Sequence, residues 1–128
     1  VSGPLLDRID LHVEVPRPPT EMLRSNVPDG EASSVVAERV AGAWRLQIRR
    51  AGSANSRLEG EQLAAACALD DTCWSLLESA AERFNLSARA HQRVRRVART
   101  IADLAGAKTI APPHVAEALS LRCLDRRL

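Results

Sequence analysis

Read for its apolar period, the chain divides into a short alternating run, a proline-rich polar stretch, and a succession of segments with helical spacing. Leu11, Val13 and Val15 alternate with His12 and Glu14, which predicts a short strand with one buried face. Pro16, Pro18 and Pro19 end it. A lone strand has no ladder partner, so it must pair with something outside the segment or lie loosely on the body. From Arg17 to Ala32 there is no period, only prolines, Asn26 and Asp29-Gly30, and the stretch reads as a flexible loop. Its Met22, Leu23 and Val27 are apolar enough to dock onto a core.

Beyond this loop the period becomes helical. Ser33 or Ser34 can cap a helix running to about Ala51, where Gly52 stops it. Val36, Val40, Trp44 and Ile48 recur every four residues and form one apolar edge, with Arg39, Arg45, Arg49 and Arg50 largely off it. After a turn at Ser53-Ala54-Asn55-Ser56, a short helix follows near Glu59 to Ala66, its apolar residues being Leu63, Ala64 and Cys67. Asp70 or Asp71 caps the next helix, through Phe84, whose stripe is Trp74, Leu77, Ala81 and Phe84. Ser87 caps the best-defined helix, in which Ala90, Val94, Val97, Ile101 and Leu104 form a one-sided stripe ended by Gly106. Pro112 takes a first-turn position and opens a last helix to about Leu121, with Val115, Ala118 and Leu119 inside. The predicted fold class is mainly α: a four- to five-helix bundle preceded by a short strand-like stub and a flexible loop.

Composition strengthens this picture. The 128 residues suffice for one domain with a sizeable core. Hydrophobic residues make up 45% but aromatic ones only 2%, so the core must be built from Leu, Val, Ile and Ala, which favours helix. A net charge of +2 gives little support for wholesale nucleic-acid binding. Lys108 is the one lysine. Arginine suits bidentate phosphate contacts, although a GC-rich genome produces the same bias. Cys67, Cys73 and Cys123 are odd in number with no C-x-x-C pair, which indicates neither a disulfide framework nor a zinc site and fits a reducing cytoplasm. No apolar run approaches the ~20 residues needed to span a bilayer, so a cytoplasmic protein without a membrane partner is expected.

Two arginines carry the candidate chemistry. Arg8 stands between Asp7 and Asp10 in Leu5-Leu6-Asp7-Arg8-Ile9-Asp10, on a short turn before the alternating run. Arg89 lies just inside the helix start at Ser87-Ala88-Arg89, and Arg93 and Arg96 continue its flank at i+4 and i+7. Guanidinium and free helix amides can converge on one phosphate there. The spacing equally describes a solvated arginine flank beside a packed stripe. Asp7 and Asp10 offer Arg8 an equally plain role, a local salt bridge.

Taken together, these segments resemble a known family. The "L-L-D-R-I-D" run, Ser87-Ala88-Arg89, Arg96-Val97-Ala98-Arg99-Thr100-Ile101-Ala102-Asp103-Leu104, Cys67-Ala68-Leu69-Asp70 and His114-Val115-Ala116-Glu117-Ala118 resemble the C-terminal region of magnesium-chelatase-like AAA+ ATPases of the bacterial competence-protein type. The likeness runs from Ser2 to about Leu124. It implies a stub of the nucleotide-binding core at 1–16, a linker at 17–32 and a helical lid domain at 33–128, so that the chain starts within a longer protein; Val1 in place of a methionine fits that. It further implies that Arg8 is an arginine finger reaching ATP bound in the adjacent subunit, with Asp7 and Asp10 orienting it, and that Arg89 is the sensor-2 arginine of the lid. ATP and Mg²⁺ would belong to the parent protein, with none bound to this piece. The implied partners are the rest of the AAA+ core, a homo-oligomeric ring (a hexamer) and DNA, or a porphyrin if the parent is a chelatase subunit. Two departures stand out: Pro112-Pro113 replaces a threonine and single proline, which threatens the cap of the last helix, and Trp44 replaces a small or polar residue.

The chain has no G-x-x-x-x-G-K-[ST] and no apolar strand ending in Asp-Glu, so neither a phosphate-cradling loop nor a magnesium carboxylate pair is expected within it. His12, His91 and His114 are scattered and suggest no catalytic set. Hydrolysis is therefore expected of the assembled parent, not of this piece. Two other classes remain open: a stand-alone helical DNA-binding module using the arginines at 89, 93, 95, 96 and 99, and a plain protein-interaction bundle. Residues 1–32 are expected to be poorly ordered in the isolated piece.

Overall fold

The computed structural model describes residues 8–17, 20 and 30–122. Within them the period resolves into five helices: α1 (Ser33–Ala51), α2 (Gly60–Ala66), α3 (Asp71–Phe84), α4 (Ala88–Leu104) and α5 (Pro112–Arg122), with a 3₁₀ turn at Asn55–Arg57. No strand occurs among the described residues. No helix among them is long and apolar enough to cross a membrane.

Local chemistry sets most of the boundaries. Gly52 takes the left-handed conformation (φ 73°) that ends α1, and its N–H donates to Ile48 O at 2.8 Å. Asp70 caps α3 by accepting from the Cys73 N–H at 2.8 Å, which also holds its carboxyl below the usual range. Ser87 Oγ accepts from the Ala90 N–H at 3.1 Å. The helix α3 ends on Asn85 with φ 51°, a position where asparagine substitutes for glycine. Pro112 does open α5, and the feared loss of its cap is made good by His114. His114 Nδ1 accepts from the Ala111 N–H at 2.9 Å, the reciprocal half of a capping box. At α1 the expectation fails: Ser33 is already helical, and the cap position falls to Ala32, which has no acceptor side chain. The Val35 N–H turns back to Ala32 O at 3.1 Å, and residues 31–41 are all exposed, so the amides before it are open to solvent.

The core forms where α4 lies against α5, α1 and the 3₁₀ turn, with α3 closing over α5. Leu58, Leu63, Cys67, Cys73, Leu77, Val94, Ala98, Ala102, Ile110, Val115 and Ala118 are its buried members. Val115, Ala118 and Leu119 are inside as expected. In α4, however, the buried line is Ala90, Val94, Ala98 and Ala102, while Val97 and Ile101 are half-buried and Leu104 is exposed. Alanines at the contact let helix axes approach closely, so the smaller residues take the inside. On α3 the same rotation puts Cys73, Leu77 and Ala80 inside and leaves Trp74, Ala81 and Phe84 half-buried. Ala64 of α2 is exposed, unlike Leu63.

The largest departure is α1. Its apolar edge is not buried: Val36, Val40, Trp44 and Ile48 are 38–54% exposed, and Val35 is 48% exposed. The buried residues are Ala43 and Gln47. At 19 residues the helix is about 28 Å long, and only its second half meets the body.

A buried polar cluster holds that second half in place. Asp103, whose side chain is fully buried, accepts from Arg50 Nη2 at 2.5 Å and Nη1 at 3.2 Å and from Asn55 Nδ2 at 2.9 Å, and its Oδ1 is ion-paired with Arg99 Nη2 at 3.0 Å. Asn55 Nδ2 also reaches Thr100 Oγ1 at 3.0 Å, and the Asn55 N–H donates to Gln47 Oε1 at 2.9 Å. Arg99 spends its remaining Nη donors on the carbonyls of Lys108 (3.1 Å) and Ala107 (2.9 Å), which binds the α4–α5 connection to the same centre. A carboxylate can be buried this deeply because several donors replace its water.

Residues 8–17 lie on the helical body as neither helix nor strand. The His12 N–H donates to Leu121 O, Arg122 Nη1 donates to Ile9 O, and Asp10 pairs with Arg93. The buried face expected from Leu11, Val13 and Val15 does not form: they are 47%, 62% and 83% exposed. Asp7 and most of the expected loop, including Met22, Leu23 and Val27, lie outside the described residues.

Asp103→Ala would leave Arg50 and Arg99 together without a counter-charge. Urea unfolding is expected to show a stability loss of about 3–5 kcal/mol. A loss below about 1 kcal/mol, the scale of an exposed ion pair, would mean that the cluster does not hold α1.

Candidate functional site

Arg89 is the second residue of α4, exposed, and makes no hydrogen bond or ion pair among the described residues. The Ser87 cap places it at the positive end of the helix dipole. Ser87 takes the Ala90 N–H on its hydroxyl and the His91 N–H on its carbonyl (2.9 Å), leaving the amides of Ala88 and Arg89 as outward donors. Arg8 is likewise exposed and unpaired among the described residues. The local salt bridge open to it from Asp10 does not form, because Asp10 Oδ1 sits 3.0 Å from Arg93 Nη1 instead. Arg93 is about one turn beyond Arg89, about 6 Å along the axis. The pair thereby seats the Arg8 turn against the flank that Arg89 begins. Nothing in the sequence pattern linked Asp10 to Arg93.

The other arginines of α4 are committed to the fold. Arg95 Nη2 donates to Cys67 O at 3.1 Å, and its guanidinium lies 5.0 Å from the Trp74 ring centroid. Arg96 Nε donates to Leu58 O at 2.8 Å. Arg99 is 3% exposed and tied to Asp103. A DNA-binding stripe through 89, 93, 95, 96 and 99 would need five outward guanidiniums, and Arg89 alone meets that description. The helical spacing suggested the stripe; the tertiary contacts dissolve it.

The remaining titratable groups have structural roles. Trp74 stacks on His91 at 5.5 Å, and burial, reinforced by Arg95, holds His91 below the usual imidazole range while Glu78 acts weakly the other way. Burial pushes Cys73 up to about 11, and Cys73 Sγ donates weakly to Ile110 O at 3.7 Å. Cys67 is raised for the same reason, against the pull of four arginines. Both cysteines are free and buried, and so inert as nucleophiles. Among the described residues no three His, Cys, Asp or Glu side chains are grouped to hold a metal ion. The centre that sequence reasoning missed is Arg50–Asp103–Arg99. Its one local signal was Arg99 and Asp103 at i, i+4.

Residues 30–122 match the family model described as the C-terminal domain of magnesium chelatase subunit ChlI. The chain belongs to this magnesium-chelatase C-terminal family. It is 42% identical over 128 residues to the competence protein ComM of Haemophilus influenzae and 45% identical over 130 residues to the uncharacterized protein YifB of Salmonella typhimurium, each time with 100% of this chain and 25% of the relative covered. It is 36% identical over 129 residues to the uncharacterized protein Rv2897c of Mycobacterium tuberculosis, covering 95% of this chain and 25% of that protein. The chain thus spans about a quarter of the length of the curated relatives it matches. The expected recognition and the helical bundle are both upheld by these matches and by the fold.

Because His91 is held below its unfolded value of about 6.5, the unfolded chain takes up its proton first on acidification. The neutral ring's contribution is complete above that value and is lost as pH falls toward the depressed folded one. The melting temperature is therefore expected to drop between pH 7.5 and 5.5, and His91→Phe, which keeps the stack on Trp74, should flatten that drop. An unchanged pH slope in the variant would take His91 out of the acid response.

Proposed function

We propose that this magnesium-chelatase C-terminal domain is the lid of an AAA+ ring ATPase, with Arg8 as arginine finger and Arg89 as sensor 2. The observation that carries the reading is that these two arginines, alone among the candidates, are exposed and without a partner among the described residues, while the Asp10–Arg93 bridge seats one beside the other's helix. A guanidinium already held by a carboxylate would be a poor phosphate ligand; these two are not so held among the described residues. Their donor chemistry, together with the outward amides of Ala88 and Arg89, suits the phosphates of ATP.

Bound ATP would supply a phosphoryl group for transfer to water. Arg89 would bind and orient the nucleotide from the lid, and Arg8 would stabilise negative charge on the transferring group of ATP held by a neighbouring subunit. Asp10 keeps its positioning role, exerted through Arg93. The described residues lack a ligand set for Mg²⁺, so its carboxylates would come from the nucleotide-binding core. The stub, linker and lid boundaries at 16 and 32 belong to this reading. So does a homo-oligomeric, hexameric ring, in which α1's exposed apolar edge would be covered by a neighbouring domain. Likeness to a protein named for competence favours a cytoplasmic, DNA-acting translocase over a chelatase subunit.

The polypeptide carrying this domain should contain a G-x-x-x-x-G-K-[ST] loop roughly 100–200 residues before Arg8, about one domain's length. Its absence would end the ATPase reading. In that full-length protein, Arg8→Ala is expected to cut ATP turnover by about 10³-fold or more with nucleotide affinity nearly intact. Loss of binding with unchanged turnover per bound ATP would contradict the finger role. Arg89→Ala should impair affinity or hydrolysis, and wild-type kinetics would remove it from the site.

A further inference from the structure

A second group of cations lies at the opposite end of α4. A cavity of about 340 Å³ opens between the end of α1, α2 and the α4–α5 connection, with Arg50, Gln62, Arg99, Lys108 and Thr109 as its polar wall. Four alanines, at 51, 65, 66 and 68, supply the rest of the lining, and their small side chains are what leaves the space. No acidic residue lines it. Arg50 and Arg99 share the single buried carboxylate of Asp103, and Lys108 adds a third positive charge, so the centre is over-supplied with cations.

Two further observations agree on the sign of the field. Arg99 Nε is buried without an acceptor, although every other nitrogen of that guanidinium is used. Such a donor is expensive to leave unpaired in a protein interior. Cys67, between the lining residues Ala66 and Ala68, is raised by its burial, and Arg95, Arg99, Arg50 and Arg96 each oppose that shift by favouring its anionic form. Positive potential therefore reaches the inner wall. The cavity is at the lower end of the size range of small-ligand sites.

We infer that the cavity lined by Arg50, Arg99 and Lys108 binds the phosphate group of a small phosphorylated molecule, at a site separate from Arg8 and Arg89. Arg89 and Arg99 are ten residues apart on one helix, about 15 Å along its axis, so one phosphate cannot engage both. The Arg50 and Arg99 guanidiniums are closed on Asp103 and contribute charge rather than donors to the wall, while Lys108 offers an ammonium at the rim and Thr109 and Gln62 offer neutral donors. The alanine wall accommodates a small apolar portion of the ligand.

Calorimetric titration of the full chain with inorganic phosphate, pyrophosphate and a short single-stranded oligonucleotide tests this. Pyrophosphate is expected to bind, and to bind at least about tenfold more weakly to Lys108→Glu, which reverses the rim charge outside the Asp103 cluster. Ala65→Leu, which fills the cavity with a good helix former, should have a similar effect; circular dichroism and melting temperature confirm that both variants fold. Binding must survive Arg89→Ala, because that residue belongs to the other end of the helix. The site is overturned if neither phosphate nor pyrophosphate binds, if Lys108→Glu and Ala65→Leu bind as the parent does, or if only Arg89→Ala loses binding. Binding of the oligonucleotide without binding of pyrophosphate overturns it as well, in favour of a strand backbone as the ligand.

Discussion

The buried carboxylate of Asp103 is the constraint on which the arrangement of this domain rests. Three elements converge on it: the end of α1 through Arg50, the 3₁₀ turn through Asn55, and α4 through Arg99. Burying an ion is unfavourable unless its lone pairs are occupied, and here the donors come from segments up to 53 positions apart in sequence. The carboxylate therefore selects one docking of α1 among many. Apolar burial could not have done so, because α1's buried residues are a single alanine and a glutamine. The hydrophobic core proper runs from Leu58, Leu63 and Cys67 through α3, α4 and α5, and α1 meets it only through Ala51 at its end.

This division explains which parts of the fold were legible in the sequence. Caps and stops were legible because their chemistry is local: Asp70, Ser87 and Gly52 each act on an amide or carbonyl within four residues. Helix number and type were legible for the same reason. The facing of helices was not. Periodicity finds the apolar side of α1 at Val36, Val40, Trp44 and Ile48, but it cannot say whether this chain covers that side, and this chain does not. In α4 the period picked Val97, Ile101 and Leu104 over Ala98 and Ala102, because alanine carries a weak hydrophobic signal. Close helix packing reverses that ranking, since the residue that permits contact is the small one. Asp103 was given no role from the sequence and Arg99 only a place among the five arginines of a DNA-binding module, because the partner that joins them is Arg50, 53 positions away from Asp103.

The candidate site divides along the same line. Arg8 and Arg89 were visible as motif residues, each within a few positions of the features that mark it. Their relation was not visible, because it depends on Asp10 meeting Arg93, a contact across most of the chain. The local alternative, Asp10 pairing with Arg8, was equally consistent with the sequence. Geometry places Asp10 on Arg93 and leaves Arg8 without a partner among the described residues.

Arginines in this domain are therefore not one population. Arg95, Arg96 and Arg99 spend donors on main-chain carbonyls at 2.8–3.1 Å, and Arg50 on a carboxylate. Those donors replace missing backbone or capping bonds and hold connections in place. A guanidinium used that way has lost the freedom to rotate toward a ligand, but its charge remains, because a carbonyl dipole does not neutralise it. Structural arginines thus leave behind a positive field that their hydrogen bonds do not cancel. At the start of α4 that field is joined by Arg8 and Arg89, neither of which has a partner among the described residues, which is the condition for binding an anion directly. At its end the field reaches a cavity whose donors are Lys108, Thr109 and Gln62, because Arg50 is closed on Asp103. One helix, made rigid by the Asp103 cluster, carries anion-attracting groups at both ends for two different reasons.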